Sequence, residues 1–517
     1  MFAAGGWEGA KMSKPSRRAG REEIKEQRRQ KKQAEKELRK KQQAEGLKPK
    51  VCASISNSKS KYEDVEEECD ARMDAATEQF RLLRARLPVL LKRLSKIKDP
   101  RSPKKIKHTV TVLMVYGILI FIFQMSSRRE ATAEMTHPMF KKNLKAFLPE
   151  LKDLPHSDTL ERLLERIEVS EIEAAQLDLV KSLIKQKKFR RYLIDGRYPI
   201  AIDGTQKLKR DYLWAQECLE RKVKKGDGEQ DQYYVYILET CLAIQSGMRI
   251  PLLSVFLSYQ QGDTGAEKQD CEQKAFKRAA ERLKTEFQRL PIMVLLDGLY
   301  PNGPVLEICR DNHWDFMVVL QDKSLKSVWE EYEGLRKLLP ENCYKRTWGN
   351  RRQRFQWVNE IDYHYDRRKK VKLHVVVCEE SWEEIDRDTN QVVTKTSRHA
   401  WVSGKPLERS NLHERCNLAA RHRWGIESEI LVEKCCGYRY EHMFSSDWEA
   451  MKGYHYLMKI GRTINVLAQY SECLAKIFVA KGVRGFIRFV RQTISGPWLD
   501  PVLVQKRLAE NYQLRLI

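Results

Sequence analysis

PIMVLLDGLYPNGPVLEICRDNHWDFMVVLQD, residues 291–322, decides how the chain reads. Two short apolar runs, IMVLL and DFMVV, flank PNGPVLEICRDN, which has proline near its start and apolar residues at helical spacing. Short apolar runs bounded by Gly, Pro and Asn read as buried strands. Strand, helix, strand in this order makes a crossover, which is right-handed when both strands join one parallel sheet. The first run ends on Asp297-Gly298.

Upstream, PIAIDGTQ (199–206) is a run of the same kind, ending at Asp203-Gly204. YYVYILETCLAI (233–244) and IPLLSVFLSY (250–259) are two more, and Gly247 between them marks a hairpin. The polar link QQGDTGAEKQD (260–270) leads into a helix, CEQKAFKRAAERLKTEFQRL (271–290). The order is strand, hairpin, helix, strand, helix, strand. It predicts an α/β fold: three antiparallel strands and two crossovers in a mixed sheet covered by helices. The first and fourth strands lie side by side, each delivering an aspartate at its C-terminal end, where such sheets place their sites.

Downstream, KRTWGNRRQRFQWVNEIDYHY (345–365) is basic and aromatic, and KLHVVVCEESWEEID (372–386) and VVTKTSRHAWVSG (392–404) are strand-like, joined by the turn RDTNQ. Residues 326–415 therefore read as a β-rich insertion. RHRWGIESEILVEK (421–434) follows. As one helix it puts Arg423, Glu427 and Lys434 within ~40° of each other, a carboxylate between two cations. Glu429 and Glu433 point ~160° and ~120° away from Glu427, on what reads as a solvated side.

The remaining boundaries come from composition. Residues 1–105 form a basic arm; its first fifty lack an apolar stripe and read as a solvated charged helix or as disorder. Met12 is an alternative start. Residues 106–195 read as a helical domain, with Ser157 or Asp158 capping the helix in HSDTLERLLERI. Residues 196–325 are the first part of the core, 416–491 its helical second part, and 492–517 a peripheral tail.

A net charge of +25 and a pI of about 9.4 favour a polyanion as partner, nucleic acid before an acidic membrane. Twelve cysteines without a Cys-x-x-Cys pair point to a reduced, cytoplasmic protein without a zinc site. Thr109–Met125, TVTVLMVYGILIFIFQM, is apolar and flanked on both sides by basic residues. It falls at the short end of membrane spans and lacks charge asymmetry, so a buried helix is the expectation and a membrane anchor the alternative.

AIDGTQ, VLLDGLYPNGPVLEICRDNHWDFMVVLQD, RWGIESEILVEKCCGYRYEH and AMKGYHYLMKIGRTINVL, in that order over roughly 105–490, resemble the DDE transposases of bacterial insertion sequences. The branch is the one whose β insertion splits a ribonuclease H-like fold and that carries Arg-x3-Glu-x6-Lys. The apolar segment at 109–125 and DTLERLLERI resemble that family's helical N-terminal region. Where the family signature has tyrosine, position 420 is alanine.

The resemblance implies metal-dependent cleavage and strand transfer at terminal inverted repeats, on double-stranded DNA, by a homodimer on paired ends in the nucleoid. Asp203, Asp297 and Glu427 are the implied ligands of two Mg²⁺ ions, for which Mn²⁺ can substitute; hard cations take carboxylate oxygens. Arg423 and Lys434 are the implied phosphate contacts; Trp401 is the candidate for stacking on an unpaired or flipped base, with Trp348 and Trp357, amid Arg351, Arg352 and Arg354, as alternatives. The plain alternatives are turn aspartates, a salt-bridged helix face around Glu427, and an insertion core for Trp401. Asp270 and Glu272 read as helix-start acids near the dipole, with a supporting role at the ligands as the other option. A repurposed copy that binds DNA without cutting it is the rival function.

Overall fold

The computed structural model describes residues 17–49, 59–151, 153–225, 228–244, 247–258, 271–386 and 389–517. Met12, Asp270 and the link 260–270 lie outside them, as do parts of the turns around Gly247 and Thr389.

The strands are β1 (Tyr198–Arg210), β2 (Leu219–Lys225), β3 (Gly228–Ala243), β4 (Arg249–Leu257), β5 (Ile292–Leu296), β6 (Asp315–Val319), β7 (Cys343–Trp348), β8 (Arg351–Asp366), β9 (Lys369–Ile385) and β10 (Val392–Ser403). Among the described residues they form one sheet in the order β2-β3-β1-β5-β6-β10-β9-β8-β7, with β4 also on β3. β1 pairs antiparallel with β3 and parallel with β5, and β5 pairs parallel with β6. The series β4-β3-β1-β5-β6 is the mixed sheet expected from the hairpin and the two crossovers, and it is consistent with the ribonuclease H-like fold that the resemblance implies. The insertion returns through β10, whose last residues pair antiparallel with β6.

Two expectations about β1 and β2 change. β1 does not stop at Asp203-Gly204. Its parallel ladder with β5 ends at Ala201, but it runs on antiparallel to β3 as far as Arg210, through an irregularity after Gln206. β2 was not foreseen: LERKVKK is exposed on nearly every residue, so it lacks the apolar alternation that marks a strand, and its pairing with β3 alone defines it.

Among the described residues, those within 54–332, 359–375 and 401–517 form one compact unit, and those within 1–53, 333–358 and 376–400 another. In the first, helix Val65–Leu94 buries Met73, Phe80, Leu83 and Leu90, so part of the expected arm belongs to a core. Phe80 stacks on Phe147 at 4.3 Å between ring centroids. The run at 109–125 gives helix Val110–Ile122, thirteen residues capped by Thr109 and buried on all sides. At 1.5 Å per residue it spans about 20 Å, well short of a ~30 Å hydrocarbon layer. No described helix is long and apolar enough to cross a membrane, which corrects the anchor alternative. Its partner is helix Trp448–Gln469, buried almost throughout from Ala450 to Ala468. The backbones approach closely at Gly117 and Gly461, where a methyl would meet Leu457 and Phe121. The helix in HSDTLERLLERI is capped by His156, one residue before the expected caps; its imidazole accepts the Asp158 N–H.

Candidate active site

Asp203 lies in β1, two residues past the last parallel pair, Ala201 with Leu295, and opposite Glu239 of β3. Asp297 directly follows β5 and its carboxylate accepts the Leu299 N–H at 2.9 Å, closing a turn. The two aspartates leave neighbouring strands where the parallel ladder ends. Glu427 comes from the first turn of helix Trp424–Cys435.

That helix starts later than expected. Residues His413–Ala419 form a π-helical turn and Ala420–Arg423 a tight 3-10 turn, and the regular helix begins at Trp424. Arg423 is its N-cap and still reaches Glu427 four residues on, with Nη2 donating to Oε1 at 2.8 Å. Its Nη1 stands 3.8 Å from Asp203 Oδ2. Arg423 is 4% exposed, a buried cation between two of the three acids. Lys434 is not on Glu427: its ammonium donates to the Gln206 carbonyl at 3.1 Å and pairs with Glu441 at 2.9 Å. Trp401 is buried at the end of β10, opposite Val319, with the Arg421 guanidinium 5.7 Å from its ring centre.

Glu429 and Glu433 are not solvated, contrary to the helical-wheel reading. The buried stripe is Ile426, Glu429, Ile430, Glu433, a normal i, i+3, i+4, i+7 pattern with acids in two places. Glu429 takes a two-point contact from Arg462, the longer bond being 2.7 Å. Glu433 accepts Lys459 at 2.7 Å. Lys459 also meets Glu239 at 3.1 Å, which accepts the Tyr440 hydroxyl at 2.8 Å and the Ser254 hydroxyl at 2.7 Å. The helix carrying Glu427 is thus tied through Lys459 to the residue opposite Asp203.

A further acid stands at the site. Glu272 opens helix Glu272–Glu286 and accepts the Tyr236 hydroxyl at 2.6 Å and the Tyr300 hydroxyl at 3.1 Å. Gly204 makes room for it, since a methyl there would run into the Glu272 carboxylate and the Tyr236 ring. Burial, and next the neighbouring Glu272, hold both tyrosines well above the ordinary phenol range. The helix-dipole reading missed this because both tyrosines are far away in sequence. The one local signal was the glycine after Asp203.

Burial pushes Asp203 up to about 6; Asp297 and Glu427 add to the rise, and Arg423 opposes it. The folded state therefore holds the Asp203 proton more tightly than the unfolded chain does. The resulting stability is fully present below an unfolded pKa of about 4 and is lost as pH rises through about 6. Asp203→Asn is neutral at every pH. In metal-free buffer it is expected to be more stable than the parent above that window, by up to about 3 kcal/mol for a shift of roughly two units. The gap should close below about pH 4 in unfolding titrations; a gap that is absent at pH 8 contradicts the electrostatics above.

Among the described residues, no three of His, Cys, Asp and Glu stand close enough together to hold a metal ion as they are. The donor chemistry nevertheless suits a hard divalent cation: carboxylates from three elements repel one another electrostatically, and the charge between Asp203 and Glu427 is already a cation, Arg423.

No curated protein matches the chain. Residues 91–180, which include helix Val110–Ile122 and its neighbours, match the family described as DDE_Tnp_1-associated, a domain found in DDE-type transposases, and this match points to a transposase-related protein.

Proposed function

We propose that the chain is a DDE-type transposase that cuts terminal inverted repeats of an insertion sequence and joins them to target DNA. The observation that carries this is the pair Asp203 and Asp297 at the end of one parallel ladder in a ribonuclease H-like sheet, with Glu427 linked to Asp203 through Arg423. The transposase-associated match upstream supports it.

Asp203, Asp297 and Glu427 are the residues to hold Mg²⁺. When bound, the metal lowers the pKa of water and neutralises phosphate charge. The chain's own part is to orient. β1 and the turn after β5 fix the two aspartates, and the Lys459 network fixes the Glu427 helix. Arg423 and Lys434 are the phosphate contacts of this reading and Trp401 its base-stacking residue. In the free protein Arg423 serves the acids instead, and Trp401 is covered. Assembly as a dimer on paired ends belongs to the same proposal.

A second reading, DNA binding without cleavage, is favoured by the Arg423 pairing with two of the acids and by alanine at position 420. Incubation of the full chain with a labelled duplex carrying one element end, with Mg²⁺ or EDTA, separates the two. Mg²⁺-dependent nicking at the end supports the transposase; stable binding without nicking supports the second reading.

A further inference from the structure

Residues 1–53, 333–358 and 376–400 carry 26 Lys and Arg against 15 Asp and Glu, close to half of the chain's positive surplus in about a fifth of its length. Helix Arg17–Ala44 contributes twelve of these cations against five acids. Its end is tied to the strands of the same unit: Lys41 pairs with Glu383 at 2.7 Å, Gln42 donates to the Glu383 carbonyl, and the Lys48 N–H donates to the Gly349 carbonyl.

The strands of this unit have two unlike faces. Along β8, Gln353, Phe355 and Trp357 are buried while Arg352 and Arg354 are exposed. On the buried side Glu380 accepts Gln353, Ser397 and Arg351. On the open side Lys345, Thr347, Arg352, Arg354, Ser381 and Arg398 line a trough of about 900 Å³. Lys345 faces Arg354 and Thr347 faces Arg352 across the β7–β8 ladder, so these four side chains emerge on one face. Acids at the trough include Glu379, 3.7 Å from Arg354, and Glu380, which Arg351, Gln353 and Ser397 already occupy; Glu45 lies 2.6 Å from Arg352. Exposed pairs of this kind contribute little to stability, and a phosphate exchanges for them readily.

We propose that this trough docks the sugar–phosphate backbone of double-stranded DNA without reading its sequence. Cations interleaved with hydroxyls are the donor set that phosphate oxygens take. Among the described residues no aromatic side chain lines the trough, which disfavours single strands, held largely by base stacking. The side chains that line it are all charged or polar types, without the aromatic and aliphatic anchors that centre a protein interface. The proposal rests on the transposase reading only in its choice of DNA as the polyanion, and its test needs no cleavage.

The experiment uses the full chain in EDTA with a random-sequence duplex of about 30 bp, followed by fluorescence anisotropy across a salt series. Lys345→Glu/Arg398→Glu is expected to lower the slope of log K against log salt by about 1.8, at ~0.9 per lost phosphate contact, equally for all sequences. Lys345→Arg/Arg398→Lys is expected to keep the parent slope. An unchanged slope in a charge-reversed variant of parent-like circular dichroism and melting overturns the proposal. So does a loss confined to single strands, or a change in oligomeric state with duplex binding intact. If the slope falls while the parent never cleaves, the docking surface stands and the transposase reading fails.

Discussion

Asp203→Ala, Asp297→Ala and Glu427→Ala are each expected to lower Mg²⁺-dependent cleavage of an end-containing duplex by about 10³-fold or more, while duplex binding stays within a few-fold. A metal clamp on the reacting phosphate is worth several kcal/mol in the transition state, and about 1.4 kcal/mol is a factor of ten in rate. Duplex binding depends mainly on cations meeting phosphates, and none of the three acids supplies that. The variants should differ in stability. Asp203→Ala relieves a carboxylate that burial disfavours, whereas Glu427→Ala removes the closest partner of the buried Arg423 guanidinium. A loss of cleavage that followed stability would therefore rank the three unequally, and a loss of ligands would not. Parent-level cleavage by any one variant, in a gel assay with Mg²⁺, removes that residue from the ligand set.

The parts of the fold that could be read from the sequence share a physical cause. β5 and β6 are buried on almost every residue, so they appear as unbroken apolar runs, and the helix between them begins with Asn302 and proline. The hairpin of β3 and β4 shows for the same reason. β2 does not show, because its side chains face solvent and only its backbone pairing makes it a strand. The Arg423–Glu427 bond is local and follows from helical spacing. Arg423 with Asp203, Glu272 with Tyr236 and Tyr300, and Lys434 with Gln206 all cross between elements, and no periodicity reports such contacts. The error at Glu429 and Glu433 has a specific source. Charged residues mark a solvated face only when their partners are in water, and here Arg462 and Lys459 are themselves buried on helix Trp448–Gln469. Helix Val110–Ile122 shows the converse: an apolar run with membrane-like composition is covered by protein on every side.

Lys459→Met is expected to destabilise the protein by about 3–5 kcal/mol, because it leaves two buried carboxylates, Glu239 and Glu433, without the cation between them. The effect should depend on pH with a definite sign. Burial already pushes Glu433 up to about 7, chiefly against the pull of Lys459. A carboxyl whose folded pKa lies above its unfolded value stabilises fully below the unfolded value, about 4.3, and that contribution is lost as pH rises through the folded one. Without Lys459 the folded pKa rises further, so the deficit against the parent should be larger at pH 8 than at pH 5, where the acid takes up its proton. Lys459→Met/Glu433→Gln should recover part of the loss, since replacing a buried charge together with its partner costs far less than stranding one. Urea unfolding followed by tryptophan fluorescence measures all three quantities. The network also joins the Glu427 helix to Glu239, the residue opposite Asp203. The double variant is therefore the informative one for function: a chain that regains stability but still cleaves poorly assigns Lys459 to positioning Glu427, and full recovery of both confines it to the core. A single variant within about 1 kcal/mol of the parent at pH 8 would mean that the two carboxylates are not held ionised together, and would remove the anchor from this account.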